Sequence, residues 1–296
     1  MQNYPVPARP LVTALWDAAA SAPERAVSFQ GAPGANSHIA INQAIANALP
    51  LPCFSFEDAI EAVTNGRAGC AMIPIENSLH GRVADIHFLL PESGLTITGE
   101  YFLPIRYALM GTGHLSDVKE VISHPQALGQ CRHWLRSAGI QPIAYPDTAG
   151  AAAEAAQRND PHLAAIAPPG AASIYGLKTL IESLGDSDNN MTRFVILARS
   201  GAAAPNVGTV MTTLVFEVKN IPAALYKAMG GFATNGVNMT KLESYQRGAS
   251  FSATTFFTDI EGHPQDPAVA RALEELNFHS RSVRLLGTYP QARKRG

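Results

Sequence analysis

Up to about residue 200, short apolar runs alternate with stretches whose apolar residues recur at helical spacing. "AVSFQ" (26–30) lacks polar alternation and predicts a strand buried on both faces. After "GAPGANSH" a helix is expected from about Ser37 to Leu49. Ser55 and Asp58 have capping-box spacing for a helix over "FEDAIEAVTNG", stopped by Gly66. "CAMIPI" (70–75) predicts the next strand, "ENSLHG" a turn, and the segment to about Leu90 another helix. "LTITGEYF" and "RYALMG" read as extended segments around Pro104. The pattern then repeats. "EVI" (120–122) leads to a helix opened by "SHPQ", with Leu128, Cys131 and Leu135 on one face. "PIAY" leads to an Ala-rich helix capped by Asp147 and running through Gln157. "LAAIA" (163–167) leads to a short helix at "PPGAAS". Strands alternating with helices predict parallel sheets of the α/β class.

The pattern changes after "GAAAPNVG" (201–208), which reads as a linker. "TVMTTLVFEV" alternates with period two, and Leu225, Ala228, Met229 and Phe232 follow at helical spacing. "TKLESY" and "SFSATTFFTDI" predict strands, Asp266–Pro267 opens a helix, and "SVRLLGTY" closes the unit. That order is βαββαβ, with two helices on one face of a four-stranded sheet.

Polar motifs fall at one kind of place. "GAPGANS", "ENS", "SHPQ" and "DTA" each follow a strand and precede a helix. In open α/β sheets this is the carboxyl edge, where ligands bind and helix N-termini favour anions. Each motif also has a plain structural reading. Ser123, His124, Asn77, Ser78 and Asp147 fit helix caps, and Gly31 and Gly34 fit a tight turn. Gln126 and Gln130, four residues apart, place both amides on one helix face. Glu76 ends an apolar strand where burial is expected. "DSDNNMTRF" (186–194) puts Asn190, Thr192 and Arg193 at the mouth of a strand. If that strand runs antiparallel to its neighbours, these side chains reach the same edge.

Composition narrows the chemistry. The 296 residues suit two or three compact units, and 46% hydrophobic with 16% charged residues allows a sizeable core. A net charge of −2 without a basic stripe disfavours nucleic acid. Cys53, Cys70 and Cys131 are odd in number and form no CxxC pair, which points to a reducing, cytoplasmic setting. No apolar run is long enough to span a bilayer. "RPLVTALWDAAASA" loosely imitates a signal peptide, but Asp17 interrupts it, so a short cytoplasmic helix is expected. GxGxxG, Walker, HExxH and GxSxG motifs do not occur. The expectation is a site of hydroxyls, amides, a carboxylate and an Arg or His, with no cofactor or metal.

Taken together, "FQGAPGANSH", "PIENSLHGRVAD", "SHPQALGQC", "DTAGAA", "AAIAPPGAASIYGL" and "DNNMTRF" resemble prephenate dehydratase, in the family's order, over about residues 27–199. "FATNGVNMTKLES" resembles the ACT regulatory domain that follows it in this family. The resemblance implies a two-lobed catalytic domain similar to type II periplasmic-binding-protein lobes, plus a ferredoxin-like βαββαβ ACT domain. The implied division is an N-terminal extension at 1–25, a catalytic domain at 26–200 and an ACT domain at 208–290. Within the catalytic domain, lobe one would take about 26–104 and 183–200, and lobe two about 105–182. The short start suggests the form without a fused chorismate mutase.

The implied reaction converts prephenate to phenylpyruvate, with loss of CO₂ and the ring hydroxyl, in phenylalanine biosynthesis. By motif, Thr192 is the first candidate for proton donor, and a buried, protonated Glu76 is its competitor. Asn77, Ser78, Ser123 and Gln130 complete the catalytic set. His124, Gln126, Thr148, Asn190, Arg193 and Phe194 are expected to contact substrate, with Arg193 neutralising a carboxylate. The resemblance also implies a homodimer or homotetramer and an L-phenylalanine effector near Ala224, Leu225, Asn238, Glu243 and Ser244. Here the family's GAL segment reads Ala223–Ala224–Leu225, and its ESRP segment reads Glu243–Ser244–Tyr245–Gln246. Arogenate is the alternative substrate, and a non-catalytic small-acid-binding regulator is the alternative class.

Overall fold

The computed structural model describes residues 3–187, 189–199, 203–246 and 254–295. The chain divides into two compact units. One holds the residues up to Ile86 together with Tyr101–Phe194, and the other holds His87–Glu100 together with the chain from Val195 onward.

The first unit begins with helix α1 (Arg9–Ser21), then β1 (Ala26–Gln30), α2 (Asn36–Ala44), β2 (Leu49–Cys53), α3 (Phe56–Thr64) and β3 (Cys70–Asn77). Both β2 and β3 lie parallel to β1. The strand β2 departs from the sequence reading, which ran the preceding helix to about Leu49. Instead α2 stops at Ala44, and Asn47 takes a left-handed turn at φ 57°. The prolines of "LPLPC" argue against a strand until the register is known. Leu49 N–H donates to Arg25 O at 2.9 Å and Gly31 N–H to Cys53 O at 3.0 Å, so the odd-numbered residues of β2 face β1. Pro50 and Pro52 then fall on the outer side of an edge strand, where no N–H is needed. Trp16 Nε1 donates to the Pro52 carbonyl at 2.8 Å, so α1 covers that edge.

After β3 the short strand β4 (Gly81–Arg82) folds back on it, pairing Glu76 with Arg82 and Asn77 with Gly81. Helix α4 (Ala84–Glu92) and β5 (Thr96–Pro104) follow.

The second lobe comprises β6 (Ala108–Gly111), β7 (Glu120–Ser123), α5 (Pro125–Gln130), α6 (Arg132–Ser137), β8 (Gln141–Ala144), α7 (Thr148–Arg158), β9 (Leu163–Ala167), α8 (Ala171–Tyr175) and β10 (Lys178–Ile181). Its sheet order is β10-β6-β9-β7-β8. β7 is parallel to both neighbours, while β6 is antiparallel to β9 and β10. The helix expected after "SHPQ" breaks at buried Cys131 (φ −116°, ψ 15°) into α5 and α6.

The chain then returns as β11 (Met191–Ala198), between β3 and β5 in the order β2-β1-β3-β11-β5. Ser78 N–H donates to Met191 O, Asn77 bonds Thr192 and Glu76 bonds Arg193. Numbers rise on one strand as they fall on the other, so β11 runs antiparallel to β3 and starts where β3 ends. Two α/β lobes crossed twice by the chain form a periplasmic-binding-protein-like fold.

The second unit contains β12 (Val210–Val218), α9 (Ala224–Thr234), β13 (Met239–Tyr245), β14 (Thr255–Glu261), α10 (Pro267–His279) and β15 (Ser280–Pro290). Its antiparallel sheet has the order β13-β14-β12-β15, which is ferredoxin-like. Leu214, Phe216, Phe256 and Ile260 meet Ala228, Phe232, Ala272 and Leu276 in its core. Gly287 lies so close to the Ile97 carbonyl that a Cβ there would collide with it. Residues 250–253 of the strand expected at "SFSATTFFTDI" lie outside the described residues. Among the described residues no helix is long and apolar enough to cross a membrane.

Candidate active site

Within the first unit a cleft of about 560 Å³ is lined from both lobes. One wall carries Gln30, Asn36, Ser37, Ser55, Asn77, Arg82, Thr192 and Phe194; the other carries Tyr107, His124, Gln126, Gln130, Asp147 and Thr148. The first turns or caps of α2, α3, α5 and α7 all contribute to these walls. Each such terminus brings backbone N–H groups and the positive end of a helix dipole, so the cleft is suited to an anion.

Caps form at Ser55, His124 and Asp147, as the sequence suggests. Ser55 and Asp58 make a reciprocal capping box on α3. His124 Nδ1 accepts from Gln126 N–H at 3.3 Å. Burial, followed by repulsion from His80, lowers the His124 pKa and favours the neutral ring that this bond requires. Asp147 Oδ1 accepts from Gly150 N–H at 2.7 Å and reaches Ala32 N–H at 3.4 Å. Burial pushes the Asp147 carboxyl up, against the pull of backbone N–H groups of Gly150, Ala32 and Ala149. The "GAPGANS" turn is therefore seated against the second lobe. Tyr175 OH donates to Pro33 O at 2.6 Å, and Gly34, at φ 92°, lies in the region that favours glycine and packs against Ile174.

The centre of the cleft is a set of amides around one hydroxyl. Asn77 Nδ2 donates to Thr192 Oγ1 at 3.0 Å, to Asn190 Oδ1 at 2.8 Å and to Met191 O at 3.2 Å. Asn77 Oδ1 accepts from Leu79 and His80 N–H groups at 3.0 and 3.1 Å, which locks the amide. Asn190 Nδ2 donates to Gln130 Oε1, and Gln130 Nε2 lies 3.0 Å from His80 Nδ1. Thr192 Oγ1 thus serves as an acceptor, and its own hydrogen remains available to the cleft.

Several expected site residues lie elsewhere. Ser123 is fully buried and its hydroxyl donates to Ile166 O at 2.5 Å, so it ties β7 to β9 and does not line the cleft. Glu76 and Arg193 face away from the cleft. Strand alternation that turns Asn77, Thr192 and Phe194 inward turns Glu76 and Arg193 to the other side of the sheet. There they pair at 2.8 Å, with Arg193 2% and Glu76 31% exposed. Glu76 is thus a half-buried partner of a cation, unlike the secluded protonated acid expected from the sequence. Ser78 does not line the cleft either; its hydroxyl donates to Asn189 O at 2.8 Å and accepts from Met191 N–H at 3.0 Å, clamping the start of β11. Asn190, 4% exposed, lies behind the cleft and joins Asn77 to Gln130.

Arg82 and Tyr107 line the cleft but went unassigned in the sequence. For Arg82 the signal is its place four residues after Ser78, beyond a glycine that allows β4 to fold back at φ 72°. Tyr107 sits in the apolar segment after Pro104, where nothing marks it. In the second unit Ala224 and Leu225 begin α9, and Glu243 and Ser244 lie on the edge strand β13. Asn238 Nδ2 donates to Glu261 Oε2 at 3.0 Å.

The fold and cleft define an α/β protein of the two-lobed, periplasmic-binding-protein-like class. A family model described as prephenate dehydratase matches residues 27–202, and the chain belongs to that family. It is a carbon–oxygen lyase of the prephenate and arogenate dehydratase group, which serves phenylalanine biosynthesis. A bifunctional N-acyl-homoserine lactone acylase/prephenate dehydratase from Komagataeibacter europaeus is 47% identical over 270 residues, covering 90% of this chain and 96% of the relative. Arogenate dehydratase/prephenate dehydratase 1 of Arabidopsis thaliana, a chloroplastic protein, is 36% identical over 280 residues, covering 89% and 71%. The crystal structure of prephenate dehydratase from Arthrobacter aurescens in complex with L-Phe has a TM-score of 0.82 at 33% identity, covering 90% of each chain.

Proposed function

We propose that the cleft converts prephenate to phenylpyruvate, CO₂ and water. The supporting observation is the Asn77–Thr192 bond, which leaves the threonine hydrogen directed away from Asn77 and available to substrate. As the ring C–O bond breaks, the electron pair of the departing carboxylate forms the new ring double bond. Aromatisation supplies the driving force. Threonine is a weak acid, so its part is to donate a hydrogen bond to the departing oxygen and stabilise the charge that develops there, while the proton that completes the water comes from solvent. Gln126, His124 and Thr148 orient substrate oxygens, and Phe194 packs against the ring. Arg82 and the helix N-termini balance the two carboxylates, a role the sequence assigns to Arg193.

Arogenate is the second reading, because Glu57 and Asp85 on the cleft wall offer counter-charges for an ammonium. Incubating the purified chain with each acid and following phenylpyruvate and phenylalanine separates the two. Turnover of neither acid overturns the assignment. The acylase activity named for the Komagataeibacter relative has less support here. Burial pushes the Cys53 and Cys131 thiols up to about 12 and Cys70 to about 11, so none supplies a thiolate nucleophile at neutral pH.

We further propose that residues 26–200 form the catalytic domain and 208–290 an ACT regulatory domain, in a cytoplasmic homodimer or homotetramer. L-phenylalanine is the proposed effector, on the strength of the Arthrobacter complex and the ferredoxin-like topology. Its contacts are assigned to Ala224, Leu225, Asn238, Glu243 and Ser244. Titration calorimetry giving no heat with L-phenylalanine overturns this assignment.

A further inference from the structure

We propose that His80 is a positioning residue for the lyase reaction, its imidazole anchoring the outer end of an amide chain that runs through Gln130, Asn190 and Asn77 to Thr192. The proposal rests on the assignment of Thr192 given above. Its evidence is a continuous run of side-chain bonds. Gln130 Nε2 lies 3.0 Å from His80 Nδ1, Gln130 Oε1 accepts from Asn190 Nδ2, Asn190 Oδ1 accepts from Asn77 Nδ2 at 2.8 Å, and Asn77 Nδ2 also reaches Thr192 Oγ1 at 3.0 Å.

A carboxamide has a donor end and an acceptor end, so a chain of them has a direction. With the NH₂ of Gln130 turned to His80, its oxygen must receive Asn190, and the oxygen of Asn190 must receive Asn77. The NH₂ of Asn77 in turn faces Thr192 and makes the hydroxyl an acceptor. The inner end is held by the backbone, because Asn77 Oδ1 takes the N–H groups of Leu79 and His80. The outer end is held by His80 Nδ1, which must accept and therefore carries no hydrogen. Asn77 Oδ1 also lies 3.4 Å from His80 Nδ1, but with both atoms acceptors that approach is not a hydrogen bond, and Gln130 at 3.0 Å is the partner.

His80 is exposed, whereas Gln130 and Asn190 are buried, so the chain leads from solvent to the cleft. A second cavity, of about 790 Å³, borders His80, Gln130 and Asn190. Without an acceptor at His80, Gln130 loses the partner that holds its NH₂ outward, and its oxygen is no longer fixed towards Asn190. The charged and titratable groups around His80 are His124, Arg106, Arg132, Glu182 and the His133–Asp186 pair.

The test measures kcat and KM against pH for the wild type, His80→Ala and His80→Gln, with unfolding midpoints for each. His80→Ala is expected to lose about tenfold in kcat, with KM within about twofold, the effect of one missing hydrogen bond on transition-state alignment. His80→Gln, which restores an acceptor that does not titrate, is expected to stay within about threefold of wild type in mild alkali. Wild-type kcat in His80→Ala throughout the range, or equal losses in the two variants, overturns the proposal. A readout free of turnover is the Gln130 side-chain amide resonance, identified by its absence in Gln130→Ala. It should shift in His80→Ala and stay near its wild-type position in His80→Gln; a resonance indifferent to both substitutions overturns the proposal. If the wild type consumes neither prephenate nor arogenate, the functional assignment fails, while the resonance still reports on the chain.

Discussion

Asn77 on β3 and Thr192 on β11 stand opposite each other on adjacent antiparallel strands, with the amide of Asn77 donating to the threonine oxygen at 3.0 Å. They are 115 positions apart in the chain. The bond consumes the acceptor side of the hydroxyl and leaves its hydrogen for the cleft. Thr192→Ala should therefore lower kcat by about 10²–10³ with little change in KM, as expected for a donor that acts mainly in the transition state. Thr192→Ser should recover much of the loss. Steady-state kinetics on prephenate and arogenate measure both, and an alanine variant with wild-type kcat removes Thr192 from the reaction.

Glu76 and Arg193, the next pair along the same two strands, face the other way. Glu76→Gln should act on stability more than on catalysis. Removing the carboxylate beside a guanidinium that is 2% exposed should cost roughly 2 kcal/mol, less than the ~3–5 of a fully buried pair because Glu76 is 31% exposed. Urea denaturation should report that loss, with kcat kept within a few-fold. A stable Glu76→Gln protein without activity would restore Glu76 as the acid.

Asp147 ties the start of α7 to the "GAPGANS" turn. Burial raises its folded pKa above 3.8, so the folded state holds this proton more tightly than the unfolded chain. The stabilising contribution of that linkage is full below 3.8 and is lost as pH rises through the folded pKa. Asp147→Asn keeps an acceptor for Gly150 N–H and carries no charge. It should equal or exceed the wild type at neutral pH, with the gap closing in acid, whereas Asp147→Ala should lose about 1–2 kcal/mol. Denaturation midpoints across the acid range decide the matter, and a gap that widens in acid refutes the sign.

Ala223, at φ 61°, occupies the left-handed region at the start of α9. A Cβ there costs about 1–2 kcal/mol, offset in part by the greater unfolded-state freedom of glycine. Ala223→Gly should therefore raise stability by up to about 1 kcal/mol, seen as a higher melting temperature. The same substitution restores the glycine of the GAL segment that the resemblance leads one to expect. Calorimetry with L-phenylalanine before and after it shows whether this turn limits effector binding.

Some features were legible because they depend on near neighbours. The Ser55–Asp58 box, the Asp147 cap and the helical pairing of Gln126 with Gln130 are set within one turn of chain, and each appears where the pattern placed it. The edge strand β2 was hidden, because two prolines are compatible with a strand only in a register that turns their missing N–H groups outward. Ser123 was misplaced for a related reason: its motif puts it at a strand end but does not say that its hydroxyl turns inward to Ile166.

By itself the sequence determined the α/β alternation, the βαββαβ unit after residue 208, and the family, since periodicity, caps and motif order are properties of the chain in one dimension. Only the tertiary structure decided which polar side chains share the cleft. It turned Thr192 in, turned Glu76 and Arg193 out, and ran an amide chain from His80 to Thr192. The physical reason is that facing follows from strand pairing. A shift of one residue between β3 and β11 would exchange the two sets of side chains, and that register is fixed by bonds between residues more than a hundred positions apart.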